Sequence, residues 1–318
     1  ASIIFAQLSQ TLIKSLLILK SKPIKPNLSF NFKILKELVV FGAGYSFDYL
    51  NNYIALQADN FIVGKFLGAQ NLGVYSRAYQ LMNIPSTILG QVIDKVFFSS
   101  SARIQNDIPS LKAIFLKSMS SLAYILLPLS IFCYVMAKEI IYVVLGESWN
   151  QVVFPFQVLA LFMLFRTGYK ISNSVILGVG FVYKRATIQF LYALMVIACS
   201  IGGINFGVKG VAVGVSMAIL VNYFLINRMC LKFLGISWRK FISIHFSSLK
   251  FTILTIVPVL IVKQFLQAIS SYELLIINTV VFIVSIIISN LLFKKQLKNG
   301  YHDWAIKILS LNFRSVKG

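Results

Sequence analysis

"QADNFIVGKFLGAQNLGVYSRAYQLMNIP", residues 57–85, sets Asp59, Lys65, Arg77, several amides and three glycines between long apolar runs. Its surroundings explain why so polar a passage matters. The chain has 318 residues, 58% hydrophobic and 12% charged, with a mean hydropathy of +0.82. That charged share is about half of what a soluble domain carries. Apolar runs long enough to cross a bilayer recur along the whole length, at about 1–19, 34–62, 74–98, 111–137, 151–177, 183–204, 208–231, 243–266 and 273–293. The expected fold is an all-α polytopic membrane protein with about nine transmembrane segments. Pro85, Pro128 and Pro258 fall inside three of them, where a membrane helix tolerates a kink.

Lys and Arg number 30 against 9 Asp and Glu. A nucleic-acid partner would need those cations on one folded soluble face. They fit the positive-inside rule instead. If the first segment ends in the cytoplasm, 23 cations fall in inner regions and five (Lys65, Arg77, Lys138, Lys209, Lys263) in outer ones. Lys14 and Arg166 lie inside segments, Lys170, Lys184 and Arg185 count as inner, and the C-terminus is cytoplasmic. No nucleic acid is expected.

Cys133, Cys199 and Cys230 lie in apolar segments without ligand spacing, and His245 and His302 sit at the inner boundary and in the tail. Neither a metal nor a cofactor is indicated. The chain opens on Ala1 without a charged region ahead of the first apolar segment, which does not describe a signal peptide and suggests that its true beginning is missing.

Within 57–85, Asp59 is expected to end the second segment at the outer face. Residues 63–78 would then form the connection into the next helix, with Gly64, Gly68 and Gly73 allowing a tight turn and close approach. Arg77 would come within reach of Asp59 if the two helix ends pack.

The stretch "ADNFIVGKFLGAQNLGVYSRAYQLMNIP" resembles the polysaccharide-biosynthesis transporters of the colanic-acid and teichuronic-acid exporter type. Asp59, Gly64, Gly68, Gly73, Tyr75, Arg77 and Pro85 carry the resemblance. It continues through "VFFSSSARIQND" (96–107), "VVLGESW" (143–149) and "QVLALFMLFRTGYKISNSVILGVG" (157–180), covering about 35–240. Lys65 replaces the family's Arg, and "VFFSSSA" lacks its Pro.

The resemblance implies the MATE-like MOP superfamily, which includes the lipid II flippases: two six-helix bundles around a central cavity. Residues 1–19 would then be the last helix of a truncated first bundle, 20–33 a cytoplasmic linker and 34–231 the second bundle. Residues 243–293 would be two appended helices, and 294–318 a basic amphipathic tail on the inner surface. The implied activity is export of lipid-linked oligosaccharide, a polyprenyl-diphosphate sugar, across the bacterial cytoplasmic membrane by alternating access. Glycan polymerases are implied as partners. A MATE-type drug or cation antiporter is the alternative. A membrane enzyme of glycan assembly fits less well, because both histidines are cytoplasmic and every outer loop is short. A cavity between two bundles needs both, so these 318 residues alone are not expected to transport.

Helical periodicity supplies candidates for the cavity wall. Tyr45, Asp48, Asn52, Ala55 and Asp59 share one narrow face of segment 34–62. Asp48 would lie about 21 Å along the axis, near mid-bilayer. An intramembrane carboxylate is either functional or a hydrogen-bonded tie between helices. Arg166, Tyr169, Lys170 and Asn173 share a face of segment 151–177. The planar fork of Arg166 suits a diphosphate. Against this stand an Arg166–Asp48 structural pair and snorkelling of Lys170 to the inner interface. Gly203, Gly207, Gly210, Gly214 and Ala218 look like a close-packing seam.

The charge count predicts that single cysteines at Gln70, Ser148 and Gln267 are labelled from outside intact cells. Those at Asn27, Asp107 and Asn299 should label only after permeabilisation; the reverse pattern would overturn the topology.

Overall fold

A computed structural model describes residues 2–21, 31–103, 107–266 and 269–297. Most of the expected linker and all but the first residues of the tail lie outside them. The described chain is helical, without a strand, and divides into two compact units, Ala1–Ala43 and Gly44–Gly318.

The first unit contains α1 (Ser2–Ser21), whose described side chains are exposed and largely apolar, and the start of α2 (Phe32–Arg103). Asn31 caps α2: its Oδ1 accepts from the backbone N–H of Lys33 at 3.0 Å.

In the second unit, α2 is broken once, at Gly68, where φ is 87° and ψ 170°. A left-handed φ favours glycine, and this single residue folds the chain back on itself. Across the turn Asp59 meets Tyr75, Asn60 meets Ser76, and Gly64 faces Leu72, so the two arms run antiparallel. The outer connection is therefore much shorter than 63–78, because helix continues to both sides of Gly68. Gly64 is needed for close approach, since a Cβ there would lie 3.1 Å from Leu72 Cδ2. Gly73 faces open space. Pro85 lies within the second arm, whose dihedrals stay helical around it.

Next come α3 (Ile108–Val135), α4 (Ala137–Leu145), a 3-10 turn (Glu147–Val152), α5 (Val153–Leu161) and α6 (Met163–Gly178). Asp107 caps α3 through Ser110 N–H, and its hydrogen bonds to Ser110 hold the carboxyl below the usual range. The expected continuous helix 151–177 is bent by 41° between α5 and α6. Then follow α7 (Val182–Gly203), α8 (Gly207–Leu234), α9 (Trp238–Phe265) and α10 (Ser271–Leu297).

Each of the nine expected apolar segments falls in a helix, with α2 supplying two and the bent α5–α6 pair one. Among the described residues, four stretches are long and apolar enough to cross a membrane by themselves: Ile108–Val135, Val182–Leu234, Trp238–Phe265 and Ser271–Leu292. The bent pair makes a fifth, and Val182–Leu234 contains both α7 and α8. The chain is a multi-pass membrane protein.

The main core joins both arms of α2 to α3 and α5–α8. A second cluster joins α3 and α4's entry to α9 and α10, with Phe132 and Phe282 stacked at 4.4 Å. Lys112 Nζ donates to Gly235 O at 2.9 Å, binding the start of α3 to the α8–α9 turn. At the opposite end Lys263 pairs with the buried Glu139 at 3.0 Å. These ties group the helix ends as the charge count does, Lys112 with Arg239 and Lys138 with Lys263.

Backbone approach between α7 and α8 depends on glycine. A Cβ on Gly203 would sit 2.6 Å from the Gly210 carbonyl carbon, and one on Gly214 would meet Cys199 O. Gly207 is not part of this seam as expected; its φ of 64° makes it the turn between the helices. Gly203→Val should cost roughly 1–3 kcal/mol of stability through overpacking. Gly202→Val, on the same helix with nothing within 4 Å, should leave thermal melting unchanged.

Candidate functional site

Both arms of α2, together with α6 and α7, enclose a cavity of about 570 Å³. The first arm contributes Tyr45, Asp48 and Asn52; α6 contributes Arg166, Lys170 and Asn173. With Tyr169, seven of the nine residues read from helical periodicity line one space, and Ala55 and Asp59 do not. The second arm adds Asn83 and Thr87, and α7 adds Arg185.

Arg185 was missed, because a cation two residues inside an expected segment boundary reads as a loop charge. It is 2% exposed. Its Nη1 donates to Asp48 Oδ1 and its Nε to Asn173 Oδ1, joining α7 to α2 and α6. One turn along, Gln189 Nε2 donates to Asn52 Oδ1 at 3.1 Å. Asp48 is therefore the partner of Arg185, not of Arg166. Along the arm it lies 20 residues, about 30 Å, from the turn at Gly68 and level with the start of α7. The arm runs on past residue 62, where the sequence reading ended it, to the break at Gly68.

Arg166 is deeper, about 18 Å from the end of α6, and 4% exposed. Its Nη1 donates to Tyr192 Oη at 3.1 Å, and its guanidinium lies over the Tyr79 ring, 5.5 Å from the centroid. Only one of five guanidinium N–H donors is used in that hydrogen bond. Lys170 reaches towards the second arm of α2, with Nζ 3.5 Å from Ser86 O, rather than snorkelling along its own helix. Gly90 makes room for it: a Cβ there would lie 3.0 Å from Lys170 Cδ.

The motif residues build the layer beneath. Asp59 is fully buried, not at the outer face, and its Oδ2 accepts from Tyr75 Oη at 2.7 Å. Tyr75 in turn lies 6.0 Å from Tyr79, ring to ring. Arg77 does not reach Asp59; it is exposed and donates to Gln80 Oε1 at 3.0 Å.

Three cations (Arg166, Lys170, Arg185) and one carboxylate (Asp48) line the cavity, a formal excess of two positive charges. That charge, the amides and the tyrosines suit an anionic, hydroxyl-rich ligand. Among the described residues no cluster of three or more His, Cys, Asp and Glu could hold a metal.

In fold the chain is a multi-pass helical membrane protein whose helices follow the arrangement of a known flippase. It is similar to the lipid II flippase MurJ in an inward closed conformation, with a TM-score of 0.66 and 13% identity over 86% of this chain and 58% of that one. Residues 1–154 match the polysaccharide biosynthesis protein family, in line with the resemblance read at 57–85. The lipopolysaccharide biosynthesis protein WzxC of Escherichia coli is 28% identical over 69% of this chain and 45% of its own length. The teichuronic acid biosynthesis protein TuaB of Bacillus subtilis is 29% identical over 52% of this chain and 34% of its own. The chain spans less than half the length of these curated relatives.

Breaking either side of the buried Arg185–Asp48 pair strands a charge. Arg185→Gln and Asp48→Asn should each destabilise the protein by about 3 kcal/mol. The double variant should recover at least about 1 kcal/mol of the summed loss. The same cycle between Arg166 and Asp48 should be additive, and strong coupling there would contradict the assignment.

Proposed function

We propose that the chain is the second-bundle part of a transporter that moves lipid-linked oligosaccharide across the cytoplasmic membrane by alternating access. In this reading residues 1–19 end a first bundle, 20–33 link the two, 34–231 form the second bundle and 243–293 the appended helices. The C-terminus is cytoplasmic, and glycan polymerases act on the exported product. The cationic cavity carries the reading: Arg166, on the wall of a 570 Å³ space, presents guanidinium donors where a diphosphate would sit. Asn52, Asn83 and Asn173 lie within the same wall, with amides suited to sugar hydroxyls. The MurJ-like fold and the WzxC and TuaB relatives support the same class of activity.

Charge balance separates this reading from a cation antiporter. A cation carrier needs free carboxylates, whereas Asp48 is held by Arg185 and three cations face the same space. Repulsion would exclude a positively charged drug.

In a full-length transporter, Arg166→Ala should abolish flipping of labelled lipid-linked sugar. Arg166→Lys keeps the charge and loses the fork, and should slow it on the order of tenfold, about 1.4 kcal/mol. Both variants should still insert. Normal flipping by Arg166→Ala would refute the diphosphate role.

A further inference from the structure

A second cavity, of about 310 Å³, lies between α3, α6, α8 and α9 and shares no lining residue with the first. Leu127, Phe165, Phe224, Phe241 and Ile242 make its wall almost wholly apolar. Tyr223 and His245, within it, already have partners. Tyr223 Oη and His245 Nε2 lie 3.4 Å apart, and His245 Nδ1 is 3.0 Å from Phe241 O. Nothing inside calls for a polar ligand, and burying one without partners would be costly. Phe224, Ile242 and Leu249 are 45%, 49% and 48% exposed, so the groove opens sideways on the face that meets hydrocarbon.

One end of the groove is charged. Phe224 and Trp238 close it with rings 5.9 Å apart. Arg228 is exposed on α8, one turn beyond Phe224 on the same face, and Arg239 is exposed on α9 beside Trp238. Two guanidinium-bearing positions thus flank the mouth of an apolar slot. The charge count places this end at the cytoplasmic leaflet, whose lipids are partly anionic.

We propose that the groove and these two arginines hold one anionic phospholipid of the inner leaflet, with an acyl chain along Phe224, Phe241 and Ile242 and its phosphate between Arg228 and Arg239. The two cavities have separate walls, so a lipid tail seated here does not place its headgroup on Arg166. This favours a resident phospholipid over the transported lipid. The inference stands apart from the transport reading and survives or fails without it. Such a lipid would bridge α8 to α9, where the second bundle meets the appended pair.

Native mass spectrometry of the purified protein after exposure to equal amounts of phosphatidylglycerol and phosphatidylcholine tests it. Phosphatidylglycerol should be retained over phosphatidylcholine on the order of tenfold. Arg228→Gln with Arg239→Gln should bring that ratio close to one while lipid still binds. Ile242→Trp should fill the slot and reduce retention of both lipids. All three positions are exposed, so melting in detergent should be unaltered. An unchanged ratio in the double arginine variant, or unchanged retention in Ile242→Trp, would overturn the proposal. So would displacement of phosphatidylglycerol by an equimolar polyprenyl diphosphate, which would assign the groove to the transported lipid.

Discussion

The buried guanidinium of Arg185 constrains everything around the cation-lined cavity. A charge that cannot be neutralised is held among membrane helices only if carboxylate and amide partners surround it. Asp48 from α2 and Asn173 from α6 supply those partners. Three helices are thereby fixed around one group, and Gln189 and Asn52 repeat the α7–α2 tie a turn along. The same pairing occupies the cavity's one carboxylate, and so leaves the space with its positive excess.

The polar passage at 57–85 works one layer deeper. With the chain reversed at Gly68, residues equidistant from the turn meet in pairs, which sets the register of the two arms. Tyr75 then reaches Asp59, and Tyr79, four residues on, lies beneath Arg166. Tyr192 holds the guanidinium from α7. The passage thus builds the floor on which Arg166 stands, and near its end Asn83 reaches the cavity wall. Arg77, the motif's cation, faces outward and takes no part.

Much of this was legible in the sequence because hydropathy and helical period are local properties. Nine apolar runs locate the helices, and spacing of three and four residues puts Tyr45, Asp48 and Asn52 on one face and Arg166, Lys170 and Asn173 on another. Pairings between distant segments were not legible. Arg185 and Asp48 are separated by 137 residues, and the position of Arg185 near a helix end matches what a topology-setting loop cation looks like. Moving Arg185 and Lys170 from the inner loops to the cavity still leaves 21 inner cations against five, so the topology argument keeps its force. The bend between α5 and α6 was hidden for a different reason. Apolar residues run straight through Phe162, and no proline or glycine marks the break.

The central claim, that this cavity receives the lipid-linked sugar, is tested most directly by photo-crosslinking from inside it. A photoreactive residue at Thr87, on the cavity wall, should capture lipid-linked oligosaccharide in the assembled transporter. The same residue at Ile288, 52% exposed on α10, should capture bulk phospholipid alone. Equal capture of lipid-linked oligosaccharide from both positions, or none from Thr87, would contradict the account.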